Sequence, residues 1–321
     1  MFVSSLEVAG GLVLLVLGAD RFVHGAASTA RNLGVAPLLI GLTVVALATS
    51  SPEILVSIVA SLRGDPELAI GNAIGSNIVN IGLVLGGVAL IRPIMLTSET
   101  MRSEMPALLA VTLLAVSLFL DAYLSRVDGI VLLIALVIVM IWLTRLGLRS
   151  AENDPITAEY DAEIPRDVSM KMAIFWLVVG LAILLVGAEL MVKGAIDIAR
   201  TLGMSEVVIG IVLVAFATSL PELAVSLVSA IKGEYGLAIG NVVGSNIFNL
   251  LAVIGVAAVI EPAALPPSVL SLHVFVMTAF TLVMFAMTYE YGRAGKISRL
   301  EGAALLAAFI AYDTYVVMQN I

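Results

Sequence analysis

One segment of this chain occurs twice, and a duplicated segment limits the chain to folds that can house both copies in related surroundings. The first copy reads Ala48-Thr49-Ser50-Ser51-Pro52-Glu53 and continues at Gly71-Asn72-Ala73-Ile74-Gly75-Ser76-Asn77-Ile78-Val79-Asn80. The second reads Ala217-Thr218-Ser219-Leu220-Pro221-Glu222, then Gly240-Asn241-Val242-Val243-Gly244-Ser245-Asn246-Ile247-Phe248-Asn249. A constant shift of 169 positions overlays Gly18–Pro93 on Gly187–Pro262 without a gap, and about half of the aligned residues are identical. Shared hydrophobicity alone would not produce that identity. Each copy sets a proline and a glutamate inside an otherwise apolar stretch. A duplicated, polar-centred, helix-breaking unit points to an ion or solute path through a membrane.

Hydrophobic residues make up 61% of the chain and charged ones 12%, with a mean hydropathy of +1.12. A soluble protein carries about 25% charged residues, so this chain lacks the charge that a water-facing surface requires. With no cysteine there is no disulfide framework, thiolate metal site or cysteine nucleophile. The two histidines, His24 and His273, stand apart from any metal-binding spacing. A net charge of −8 offers nothing to nucleic acid. Much of it lies in Ala151–Asp167, a run that reads as a solvated linker. The N-terminus has no basic n-region and no small-residue cleavage site, so an uncleaved first span is expected.

Apolar runs predict an all-α membrane protein of about ten spans. Their limits are Leu6–His24, Ala36–Leu62, Leu68–Ile91, Glu104–Asp121, Val127–Leu146, Met172–Lys193, Glu206–Ile231, Leu237–Ile260, Ser271–Tyr289 and Leu300–Val317. The chain then divides into a half at 1–146, a short acidic cytoplasmic linker at 147–171, and a half at 172–321. With the N-terminus outside, 12 lysines and arginines fall on the inner side and 4 on the outer, a positive-inside bias. Both termini are thus expected outside a cell (inner) membrane. An odd number of spans per half makes the second copy enter the bilayer from the opposite side, so the repeats are inverted and their equivalent residues converge near the midplane. Arg31 and Arg200 align in the repeat yet are expected on opposite sides. The second, third, seventh and eighth helices are expected to be discontinuous.

Glu53 and Glu222 are costly at that depth, at least about 2.5–3.5 kcal/mol each, and no basic residue in the same spans lies near them. Two carboxylates converging in one cavity give a charge of −2 and hard oxygen ligands suited to sodium or calcium. Pro52 and Pro221 each remove a backbone donor, and the carbonyls of Ala46 and Ala215 are expected to be freed toward an ion. Thr49 shares a helix face with Glu53, and Thr218 with Glu222. Ser76 with Asn80, and Ser245 with Asn249, place a hydroxyl and an amide on one face. The Gly71/Gly75 and Gly240/Gly244 steps read as close helix packing. Asp20 and Glu189 read as interfacial residues.

At these residues the chain resembles the cation/calcium antiporter superfamily and, within it, the prokaryotic sodium/calcium exchanger group. The resemblance runs over essentially the full length and rests on the paired A-T-S-x-P-E and G-N-x-x-G-S-N motifs. It implies a ten-helix antiporter of sodium and calcium, with calcium/proton exchange as the alternative, and no enzymatic activity or cofactor. It further implies that Glu53 and Glu222 bridge the central sites, with Thr49 and Thr218 adding oxygens. Ser50, Ser76 and the Ala46 carbonyl would form a sodium site bordered by Ser219. Ser245 and the Ala215 carbonyl would form its counterpart, with Asn80 and Asn249 flanking the middle. The family often has an aspartate at one middle position and glycine where Ala48 and Ala217 stand here. The acidic linker is too short for a calcium-sensing domain. The expected partners are the lipid bilayer and the transported ions, with no nucleic acid or protein partner evident.

Overall fold

The computed structural model describes residues 2–96, 101–151, 168–201, 215–267, 269–288 and 295–319. The expected acidic linker lies outside the described residues, apart from its flanking ends. Helices build nearly all of what is described: α1 (Phe2–Leu33), α2 (Pro37–Thr49), α3 (Ser51–Leu62), α4 (Pro66–Ile91), α5 (Met101–Leu118) and α6 (Arg126–Ala151) in the first half. The second half contributes α7 (Met170–Thr201), α8 (Ala215–Thr218), α9 (Leu220–Ile231), α10 (Tyr235–Ile260), α11 (Val269–Met287) and α12 (Arg299–Gln319). Among them, α1, α4, α6, α7, α10, α11 and α12 are long and apolar enough to cross a bilayer. The pair α2 and α3 makes an eighth candidate, bent by 43° at its break, while apolar helices at Glu104–Leu118 and Leu220–Ile231 are shorter.

Two of the four expected discontinuities are present. Helix geometry is interrupted at Ser50, between α2 and α3, and at Ser219, between α8 and α9. The third and eighth helices do not break: α4 and α10 run continuously through their Gly-Asn and Ser-Asn motifs. No proline lies in those motifs, so no backbone donor is lost. Each helix instead carries a π-helical stretch, Asn80–Leu85 in α4 and Asn249–Val253 in α10. Such stretches are local distortions inside a helix that are frequent at functional sites.

Glycine sets the closest approaches. Gly11, Gly18 and Gly25 of α1 face Gly180, Gly187 and Gly194 of α7 along an antiparallel pair, with Gly11 beside Met191 and Gly25 beside Leu177. A Cβ at Gly18 would stand 2.4 Å from the Leu184 nitrogen, and one at Gly180 2.3 Å from the Phe22 nitrogen. The backbones themselves are therefore in contact, as small residues permit in membrane helices. On the same principle α10 lies against α2: a Cβ at Gly240 would meet Leu38 O at 2.6 Å, and one at Gly244 would meet Leu42 O at 2.5 Å. At the repeat-equivalent Gly71 and Gly75, no described atom lies within 4 Å.

Short elements tie the helix ends. Ile94–Met95 pairs antiparallel with Lys296–Ile297, and Tyr123–Leu124 with Ala263–Ala264. Ser125 and Asp128 exchange hydrogen bonds with each other's backbone N–H at the start of α6, as do Ser298 and Glu301 at α12. These reciprocal caps satisfy donors that a helix N-terminus leaves over.

Candidate cation site

The two breaks have the same local cause. Ser50 sits at φ −81°, ψ 5° and Ser219 at φ −89°, ψ 5°. Pro52 and Pro221 follow in the first turn of α3 and α9, where a missing N–H is harmless. The carbonyl that Pro52 deprives of its helical donor is that of Ala48, four residues back, and Ser51 Oγ donates to it at 2.7 Å. The Ala46 carbonyl, expected to be freed, is not: it accepts from Ser50 N at 2.9 Å and from Thr49 Oγ1 at 3.4 Å. Ala215 opens α8, and its side chain lies outside the described residues. Glu53 and Glu222 fall in the first turns of α3 and α9, where the positive end of the helix dipole favours a carboxylate.

The structure brings the two copies together around these glutamates. Ser50 Oγ of the first copy donates to Glu222 Oε1 of the second at 3.2 Å, and Ser245 Oγ donates to the same oxygen from 3.5 Å. Thr218 bonds across to the Glu53 carboxyl, which also feels the charge of Glu222. Thr218 also lines the adjoining cavity. Ala46, Thr49, Ser50, Glu53, Ser76, Asn80, Ser219, Glu222, Ser245 and Asn249 are all buried. Among the described residues no lysine or arginine acts on either glutamate. Among the described residues no three acidic, histidine or cysteine side chains cluster, so the charge here is that of two carboxyls among neutral oxygens.

Six buried oxygens in this region have no hydrogen-bond partner among the described residues: Glu53 Oε2, Glu222 Oε2, Ser76 Oγ, Ser219 Oγ, Asn80 Oδ1 and Asn249 Oδ1. Leaving a buried polar atom unsatisfied costs about 1–3 kcal/mol, and native proteins seldom gather several in one place. A set of hard oxygens with spare lone pairs is the donor set that Na⁺ and Ca²⁺ take.

Three asparagines do work that sequence reasoning did not assign. Asn72 Nδ2 donates to the Glu53 backbone carbonyl at 3.5 Å, and its repeat counterpart Asn241 donates to the Glu222 carbonyl at 3.3 Å. Asn241 also donates to Ser226 Oγ at 3.0 Å and accepts from Thr49 Oγ1 at 3.0 Å, which links the halves. Asn77 donates to the carbonyl of Asn246, its own counterpart, at 3.4 Å, and accepts from Asn249 Nδ2 at 3.1 Å. Recurrence of Gly-Asn and Ser-Asn was the available signal. What it could not supply is the partner, a backbone carbonyl on another element.

A cavity of about 780 Å³ adjoins the site, lined by Pro52, Leu55 and Val56 of α3, Ala188 and Val192 of α7, Thr218 of α8 and Pro221 of α9. Glu189, expected to be interfacial, lines the same cavity.

A helical membrane protein with paired broken helices, two buried carboxylates and a surrounding set of neutral oxygens is built to handle hard cations. A family model described as sodium/calcium exchanger protein matches residues 4–145 and 172–318. The chain belongs to the sodium/calcium exchanger family, whose members are membrane transporters that exchange cations. It is 46% identical to the putative antiporter CaxA of Alkalimonas amylolytica, over 98% of both chains. It is 38% identical to the inner membrane protein YrbG of Escherichia coli, over 97% of this chain and 96% of the other. Among solved structures it matches the sodium-calcium exchanger NCX_Mj soaked with 2.5 mM Na⁺ and 0.1 mM Ca²⁺, with a TM-score of 0.82, 38% identity and 96% of both chains covered.

Proposed function

We propose that this protein is a secondary antiporter that exchanges sodium for calcium by alternating access, with Glu53 and Glu222 at the central cation site. The observation that carries this reading is the convergence of the two glutamates, one from each repeat copy, with buried oxygens that, counting one from each glutamate, make six without a partner among the described residues. Two ionised carboxylates balance one Ca²⁺ or two Na⁺, so the two loads exclude each other and exchange results rather than leak. Thr49, Thr218, Ser50, Ser76, Ser219, Ser245, Asn80, Asn249 and the carbonyls of Ala46 and Ala215 complete the oxygen set. The full layout is ten spans in two inverted halves, 1–146 and 172–321, joined by a cytoplasmic linker, with both termini outside. The antiparallel course of α1 and α7 supports that inversion. On this orientation the 780 Å³ cavity opens outward.

The test is ⁴⁵Ca²⁺ flux in vesicles under a sodium gradient, then a proton gradient, then neither. Sodium-driven flux that is absent from the double Glu53→Gln, Glu222→Gln protein is expected. Flux driven by protons alone would replace sodium by protons in this reading, and flux without either gradient would indicate a channel.

A further inference from the structure

Repeat-equivalent surfaces are in opposite states at the two ends of the molecule. At one end Ala19 and Val23 of α1 pack in one core with Ala224 and Val225 of α9. Their counterparts, Ala188 and Val192 of α7 and Leu55 and Val56 of α3, line the open cavity instead.

The closed end is clamped by charge. Arg31 Nη2 lies 2.6 Å from Glu234 Oε1, and Lys232 Nζ lies 2.8 Å from Asp20 Oδ1. Both bonds join α1 to the Ile231–Tyr235 turn. Burial raises the Glu234 carboxyl above the usual carboxylate range, while Arg31 draws it down, so the pair is partly removed from water. A third tie comes from α4: Arg92 Nη1 donates to the Ile231 carbonyl at 2.8 Å and its Nε to Tyr235 Oη at 3.1 Å.

A shift of 169 positions carries these charges onto the other end with every sign preserved: Arg31 onto Arg200, Glu234 onto Asp65, Lys232 onto Arg63 and Asp20 onto Glu189. The recipient turn has the same backbone, with Gly64 at φ +80° against Gly233 at +81°. There Arg63 and Asp65 are exposed, and Glu189 faces the cavity. Arg92 has no such counterpart, because Glu261 and Pro66 occupy the matching positions of Arg92 and Tyr235.

We propose that these residues form two mutually exclusive ionic clamps, Arg31–Glu234 with Lys232–Asp20 holding the present state and Arg200–Asp65 with Arg63–Glu189 holding the opposite one. The inference rests on the alternating-access reading and adds to it the contacts that set the balance between states. A ligand or substitution shifts such a balance only through what differs between the two states, and here that difference is a swap of charge pairs. The unmatched Arg92 tie biases the resting protein toward the cavity-open state.

The test uses Val23→Cys in this cysteine-free chain as a reporter, since Val23 is buried at the closed end. Its alkylation by N-ethylmaleimide in the full-length protein in detergent reads the population in which that end opens. Adding Glu234→Gln should raise the rate about fivefold, the shift given by loss of an ion pair of roughly 1 kcal/mol. Adding Asp65→Asn as well, at the far end, should bring the rate back toward the starting value. Lys232→Gln paired with Arg63→Gln repeats the experiment on the second bond of each clamp and serves where Glu234→Gln does not accumulate. An unchanged rate in Glu234→Gln and Lys232→Gln, or failure of the far-end substitutions to reverse an increase, overturns the proposal. Labelling requires no ion gradient, so a protein that shows these shifts but no sodium-driven calcium flux would refute the sodium/calcium reading and leave the clamps standing.

Discussion

Alanine at Gly240, where α10 touches the backbone of α2, should weaken the packing between the two halves. At Gly240 the new methyl would stand 2.6 Å from Leu38 O and 2.8 Å from Leu42 N. Both are backbone atoms, so no side-chain rotation relieves the overlap. Restoring contact from 2.6 Å to an ordinary 3.4 Å requires α2 to retreat by about 0.8 Å. Overpacking of this kind costs about 1–3 kcal/mol, against a gain in helix propensity of about 1 kcal/mol. Gly240→Ala should therefore fall below the parent, by up to about 2 kcal/mol. Thermal unfolding of the detergent-purified proteins, followed by loss of the monodisperse species on gel filtration, reads this directly. An unfolding transition that the substitution leaves unchanged or raises would refute the close approach of α10 to α2.

Glu53→Gln and Glu222→Gln should each abolish calcium exchange while the protein still inserts, because removing a costly buried charge seldom harms insertion; robust transport by the double variant would refute the site. Cysteines at Asp161 and Ser268 should be labelled by an impermeant maleimide from opposite sides, the first from the cytoplasm, and labelling of both from one face would overturn the inverted topology. Asn249→Asp adds a third carboxyl and should alter the pH profile of sodium-driven calcium uptake; an unaltered profile would place residue 249 away from the ions. If more sodium charge than calcium charge moves per cycle, flux must follow the clamped potential, at about 2.3 kcal/mol per elementary charge per 100 mV.

The repeat marked the glutamates, the serines and the two middle asparagines as candidates before any coordinates, because polar groups are costly in an apolar span and here they recur in register. Distance along the chain hid most of the rest. Asp20 looked interfacial from its own neighbours, and Lys232, which holds it, is 212 positions away. The helices that carry Gly71–Asn80 and Gly240–Asn249, expected to be discontinuous, run on through a π-helical stretch, because no proline there removes a backbone donor. The Pro52 break was correctly placed, but its freed carbonyl belongs to Ala48 and is claimed by Ser51, a local exchange that counting four residues back from the proline would have found.

Neutral amides at 80 and 249 carry a consequence for slippage. On the proposed reading the fixed charge of the site resides in two carboxyls alone. A carrier that reversed unloaded would hold both uncompensated in a low-dielectric interior, at a cost of several kcal/mol per ion. One calcium removes that cost, two sodiums remove it, and a single sodium leaves half of it in place. The residues that bind the cargo therefore also oppose the empty return, and no additional gate is required to keep the gradients from running down. Acid, by protonating both carboxyls, is the condition under which an unloaded carrier should begin to slip.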